Sequence, residues 1–203
     1  MTKFASVDLE TTGLDSKYHN VLEFGAVLED FNYQLPLDDL PTFHCYILPR
    51  YVNGFTGNPF ALAMNAEILD RIAKPEEWVQ EGYQFLLPGQ VIPKFHAWLV
   101  ENGLGIAGQR ITLNIAGKNF TGFDKPFIMD QLWVEKEGDV DNWVRFRHRV
   151  LDPASLYFDP KIDAALPDMK TCMERAGIEG EVAHTAVHDA KVVIDLLRRK
   201  YNA

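Results

Sequence analysis

The sequence is short of cysteine, of basic charge and of long apolar runs, and each shortage narrows what the chain can be. Cys45 and Cys172 are its only cysteines and do not sit at CxxC spacing. They read as reduced core thiols of an intracellular protein, not as a disulfide. Lysine and arginine number 20 against 29 acids, and the net charge of −9 rules out a broad basic surface. A polyanionic partner must then be gripped by a local patch or through metal ions. No apolar run approaches the length of a membrane span, so no membrane contact is expected. The first strand begins within three residues of Met1, which leaves no room for a leader peptide. Repeats, low-complexity tracts and linkers are missing too. What remains has the composition of one soluble domain over residues 1–203, long enough to bury a full core.

Strand-like segments come first. Residues 4–9, 20–31 and 42–49 are apolar runs bounded by turn residues. Their connections, 13–20 and 32–41, suit an antiparallel meander. Residues 50–60, rich in Gly, Asn and aromatics, read as a loop. Helical spacing then predicts helices over 61–74 and 92–103, the second stopped by Gly103. A fourth strand is expected over 110–117, a helix opened by Pro126 over 125–135, and a fifth strand over 147–152. Helices over 166–176 and 184–200 close the chain. Together these predict a mixed α/β sheet of about five strands, three antiparallel and two parallel, flanked by helices.

Asp8 and Glu10 stand two residues apart on the first strand, so both point to one face. Burying one unpaired carboxylate is costly, and two side by side cost more. Taken alone, the pair also reads as a surface or capping pair. Two more acids stand at element boundaries. Asp124 follows a strand and opens a helix, where by itself it is an N-cap. Asp189 borders the apolar stripe of the last helix, Ala186, Ala190, Val193 and Leu197, and so faces the edge of the core. Four carboxylates converging on one point repel each other unless cations sit among them. Oxygen donors select hard ions such as Mg²⁺ or Mn²⁺. Two such ions serve phosphodiester cleavage, with a nearby histidine to take the proton from the attacking water.

In order and spacing, Asp8-x-Glu10, Asp124 about 115 residues later, and His184-x-Ala186-x-x-Asp189 resemble the motifs of the DEDDh 3′→5′ exonucleases. The likeness runs from Lys3 nearly to the C-terminus. "VDLETTGLD" is close to that family's first motif. "GKNFTGFD", with Asn119 five residues ahead of Asp124, is most similar to the oligoribonuclease branch and departs from the proofreading branch. The resemblance implies a ribonuclease H-like fold and two divalent metal ions, Mg²⁺ or Mn²⁺. Asp8 would bridge both ions, Glu10 and Asp189 would support the one that activates water, and Asp124 would hold the other. His184 would be the general base. The backbone at Thr11 and Thr12 would meet the terminal sugar, with Asn119 among the substrate contacts, and Leu14 and Phe123 would pack against the last bases. The implied activity is release of nucleoside 5′-monophosphates from the 3′ end of single-stranded DNA or RNA, in the cytoplasm. Two other readings stay open: an inactive nucleic-acid-binding module, which has no need of His184, and a ribonuclease H-like endonuclease. A homodimer is open as well, and no polymerase partner is specified.

An ideal helix turns about 140° over the five residues from His184 to Asp189. His184 is therefore expected in the loop or cap before the last helix, swinging inward. His188 is the competing histidine, and His19, His44, His96 and His148 read as structural or solvated. Asp15 and Asp152 read as turn residues, and Glu23 as a local hydrogen-bond acceptor in its strand. The basic cluster Arg145–Arg149 is either a solvated edge strand or a phosphate-gripping patch.

Overall fold

The computed structural model describes residues 3–50, 54–132 and 140–202. Strands β1 (Lys3–Thr11), β2 (Val21–Asp30) and β3 (Thr42–Ile47) form an antiparallel meander. The short strands β4 (Phe85–Leu86) and β6 (Ile115–Ala116) add in parallel at its two edges, giving the order β4-β3-β2-β1-β6. Strands β5 (Ile111–Leu113) and β7 (Val144–Phe146) pair in parallel as a second sheet. The five-stranded sheet is thus mixed, as its segment pattern implies.

β2 is buried over nine of its ten residues, as a central strand covered on both faces must be. On one face Val7, Leu9, Phe24, Phe43 and Cys45 meet helix α4 (Pro88–Glu101) through Phe95 and Leu99. α4 opens on Pro88, with the Gln90 side chain accepting the Leu87 N–H at 2.9 Å. The opposite face carries Phe4 and Val27 against helix α8 (Ala186–Tyr201). Gly25 lies under that helix. A Cβ there would sit 2.5 Å from the Ala186 carbonyl carbon, so only glycine admits this approach. α8 ends in Arg198, Arg199 and Lys200, which complement its dipole. Among the described residues, no helix is long and apolar enough to cross a membrane.

Several expected boundaries are corrected. The helix over 61–74 is two, α1 (Pro59–Met64) and α2 (Ala66–Ala73), with the short α3 (Pro75–Val79) after them. The break falls at Asn65, whose amide turns inward and donates to Thr11 O at 3.1 Å and Ala61 O at 3.2 Å. The fifth strand is not 147–152. Pairing occurs upstream in β7, where Val144 and Phe146 are buried, and residues 147–149 are exposed and unpaired as a strand. Only Leu151 rejoins the main sheet, by one bridge to Ala116. Helix α5 spans Asp124–Gln131, and the last residues of its expected extent, 133–135, lie outside the described residues. α6 (Pro153–Tyr157) was not anticipated, although Asp152 caps it through the Ala154 N–H at 2.8 Å. α7 (Met169–Ala176) starts three residues later than expected, capped by Asp168.

Candidate active site

The site lies at the C-terminal end of β1. Asp8 and Glu10 share the face of the sheet on which α8 packs, and the pairing register sets Asp8 against Gly25 and Glu10 against Glu23. The first turns of α8 bring Asp189 onto this row from above. Asp124 arrives from the start of α5, where its Oδ1 accepts the Leu9 N–H at 3.1 Å. That bond, between residues 115 apart, fixes Asp124 beside β1. Taken alone, the acid at this boundary reads as a cap for its own helix. Instead it binds the strand.

His184 adopts φ 52°, in the left-handed region. It precedes Thr185, the N-cap residue of α8, so its ring is not bound by helical geometry. One ligand atom each of Glu10, His184 and Asp189 lies within 4.8 Å of the others. His188 is outside that group and outside the cleft lining. The cleft encloses about 440 Å³ between Asp8, Glu10, His184 and Asp189 and an apolar wall of Leu14, Phe60, Met64 and Phe123, with Asp124 outside its lining. Leu14 is 86% exposed and Phe60 77%, unusual for large apolar side chains that serve only stability.

Electrostatically the site is under strain. Burial, then the charges of Asp124, Asp189 and Glu10, hold the Asp8 carboxyl well above the usual carboxylate range. Burial and the neighbouring Glu23 push Glu10 up to about 8, although a hydrogen bond from Asn65 draws it back. Asp124 is likewise pushed up to about 8 by burial. Asp189 is raised by burial, with His188 and His184 pulling it down. Among the described residues no lysine or arginine pairs with any of the four, and the buried Oδ1 of Asp189 has no hydrogen-bond partner. An acid cluster of this kind, built from oxygen donors with one histidine, fits hard divalent cations.

Not every anticipated contact reaches the cleft. Thr11 lines it, with its hydroxyl on Gly13 O at 2.7 Å. Thr12 is fully buried, and its backbone is spent on Asn20 O at 2.9 Å and the Asn58 N–H at 2.7 Å. Asn119 is exposed, outside the lining, and holds the turn before α5 at φ 57° while its N–H donates to Asp152.

Sequence reasoning passed over the roles of four residues. Phe60 fell in the expected loop and Met64 in the expected helix, and α1 sets the two four residues apart on one face. Asn65 ties the α1–α2 junction to β1. Glu23 is only 2% exposed: its Oε2 accepts the Ala186 N–H at 3.0 Å and its Oε1 meets His44 Nε2 at 2.6 Å. Thr185 makes no side-chain cap bond, so a sheet carboxylate caps α8 in its place and fixes the segment that bears His184.

The mixed sheet and its flanking helices share their fold with several solved nucleases. Solved structures with this fold include the nuclease domain of 3'hExo, a DEDDh family member, bound to rAMP. That domain is 15% identical with a TM-score of 0.70, the alignment covering 99% of this chain and 92% of that one. Cell-death related nuclease 4 (CRN-4) is 15% identical with a TM-score of 0.67, covering 100% and 64%. E. coli exonuclease I in complex with a dT13 oligonucleotide is 15% identical with a TM-score of 0.59, covering 100% and 42%. The chain thus spans about two fifths of exonuclease I. No family model matches the sequence, and no curated protein matches it.

Proposed function

We propose that the chain is a metal-dependent 3′→5′ exonuclease of the DEDDh type, acting on single-stranded ends in a reducing cytoplasm. The observation that carries this reading is the grouping of Asp8, Glu10, Asp124 and Asp189, from three distant segments, close enough to raise one another's carboxyls beside a cleft where, among the described residues, no lysine or arginine pairs with them. The likeness of the fold to exonucleases supports it. Asp8, Glu10, Asp124 and Asp189 would hold two divalent ions, Mg²⁺ or Mn²⁺. Bound there, such ions lower the pKa of a water and stabilise a leaving oxygen.

The chain's own residues do the rest. Leu14, Phe60, Met64 and Phe123 stack against the last bases, which suits any sequence because every base has an apolar face. Thr11 borders the terminal sugar. His184 takes a proton from water as its oxygen bonds to the last phosphorus. The bond from that phosphorus to the preceding 3′ oxygen breaks. The products are a nucleoside 5′-monophosphate and a strand one residue shorter. A binding module of the same fold would have no use for His184 beside Glu10 and Asp189.

The test is a 5′-labelled single strand incubated with Mn²⁺. It should shorten stepwise from its 3′ end and yield 5′-monophosphates, while a closed circular strand stays intact. Cutting of the circle would replace this reading with the endonuclease. Exonuclease I was solved with dT13 and the 3'hExo domain with rAMP. Matched DNA and RNA strands, with a two- to five-residue RNA, therefore decide the sugar and the length.

A further inference from the structure

We infer that the basic edge formed by β7 and the residues after it is a second nucleic-acid site, which grips the phosphates of a single strand upstream of the 3′ end held in the acid cleft. The inference rests on the nuclease reading above and adds a surface to it.

In β7 the side chains alternate: Val144 and Phe146 are buried and Arg145 points outward. Phe146 packs edge-on against Phe120 at 5.4 Å, so the edge is anchored to the turn that delivers Asp124. Beyond β7 the chain still follows the strands, with the Arg147 N–H on Leu113 O and the Leu151 N–H on Ile115 O, both at 3.0 Å. Arg145, Arg147, His148 and Arg149 are all exposed and, with Thr112, line a groove of about 370 Å³.

Among the described residues the three arginines of this edge, like Arg110, lack the acid partners that other arginines of the chain have. Arg71, Arg175, Arg198 and Arg199 each pair with an acid of the chain. Among the described residues Arg145, Arg147 and Arg149 form no ion pair, although the chain carries nine more acids than bases. Clustered guanidiniums without carboxylates repel one another and gain most from a polyanion that brings phosphates to all of them. A single strand is favoured over a flat anionic surface because the positive charge lies in a groove following an extended segment. Arg145 and Arg147 stand two residues apart, roughly 6.6 Å along the strand. The registers Ser6↔Ala116 and Arg147 N–H to Leu113 O put the cluster roughly 15 Å from the level of Asp8 along the strands. A strand several nucleotides long can engage both sites, and a trinucleotide cannot.

The experiment compares wild type, Arg147→Ala and the triple variant Arg145→Ala/Arg147→Ala/Arg149→Ala. All three positions are exposed, and unchanged melting curves confirm the fold. Binding of 5′-fluorescein-labelled (dT)20 and (rU)20 is followed by anisotropy in chelator across a salt series. Hydrolysis of (dT)3 is measured in Mn²⁺. The triple variant should bind the 20-mers at least ~10-fold more weakly, and its slope of log affinity against log salt should fall by about 2, or about 0.7 for Arg147→Ala. Hydrolysis of (dT)3 should not change. Equal affinity and slope for wild type and triple variant overturn the inference, as does arginine-dependent binding to phosphatidylserine vesicles without any to the 20-mers. If wild type hydrolyses neither (dT)3 nor the 20-mers, the nuclease reading fails, while the arginine-dependent binding is judged on its own result.

Discussion

β2 places two glutamates under α8, and their surroundings differ. Glu29, 2% exposed, faces the C-terminal turn of the helix, where Arg198 Nε donates to its Oε2 at 2.6 Å. Burial raises the Glu29 carboxyl, and Arg198 offsets part of that rise. Glu23, at the other end, sits opposite Glu10 in a group of five buried or half-buried acids with no lysine or arginine among them. Glu29 thus has its cation within the chain. In the reading proposed above, divalent ions take that role for the acids of the cleft. The comparison teaches that, among the described residues, the acids of the cleft are grouped without the lysine or arginine that Glu29 has.

The most severe break should come at Asp8. Asp8→Ala is expected to lower the rate of 3′-end hydrolysis by about 10³-fold or more. A variant retaining a tenth of wild-type activity would sink the assignment. Next is the structural side of the comparison. Arg198→Met leaves Glu29 buried without its cation and should cost ~3–5 kcal/mol in a urea titration. In chelator, Asp8→Asn should instead stabilise the protein, since it removes one of several repelling charges. If both variants destabilise, the two acid sites do not differ as described.

His184→Ala should lose at least ~10²-fold in rate, with His188→Ala close to wild type at the same metal concentration. A reversed order would move the base to His188. Divalent metal at one hundred times its dissociation constant should stabilise the folded chain by ~2.7 kcal/mol, read as a shift in the melting midpoint at fixed ionic strength. The sign of the pH dependence follows from Glu10 and Asp124, both pushed up to about 8. Folded, they hold protons more tightly than in the unfolded chain, so their contribution is fully present below the ordinary carboxylate range. Metal-free stability should therefore decline as pH rises from about 4 to about 8. Saturating Mn²⁺ should remove that decline, because metal binding favours the deprotonated acids. A metal-free midpoint that rises across this window would contradict the cluster.

The smallest effect concerns the cap. Glu23→Ala leaves the buried Ala186 N–H without an acceptor and should cost ~1–3 kcal/mol. Glu23→Gln keeps an acceptor and should cost less. Equal losses would mean that the bond to Ala186 contributes little.

Much of this molecule is set by local sequence. The i, i+2 spacing puts Asp8 and Glu10 on one face of any strand, and the apolar stripe of α8 places Asp189 at the core's edge whatever the helix packs against. Gly103 and Asp168 act at helix ends within a turn of themselves, as such residues do in most contexts. What tertiary structure decided are the properties that depend on partners far along the chain. Glu23 looked like an ordinary strand acid, and only the docking of α8 over Gly25 made it that helix's cap. Thr12 and Asn119 followed the motif pattern, yet distant hydrogen bonds drew the backbone of one into the fold and left the other in an exposed turn. Residues 147–152 looked like a strand, but pairing went to Val144 and Phe146, whose side chains could be buried while Arg147 and Arg149 could not. Phe60 and Met64 joined the cleft because Asn65 bent the helix there. Periodicity and charge act over a few residues and can be read in order. Hydrogen bonds and burial across a hundred residues exist only once the sheet has closed.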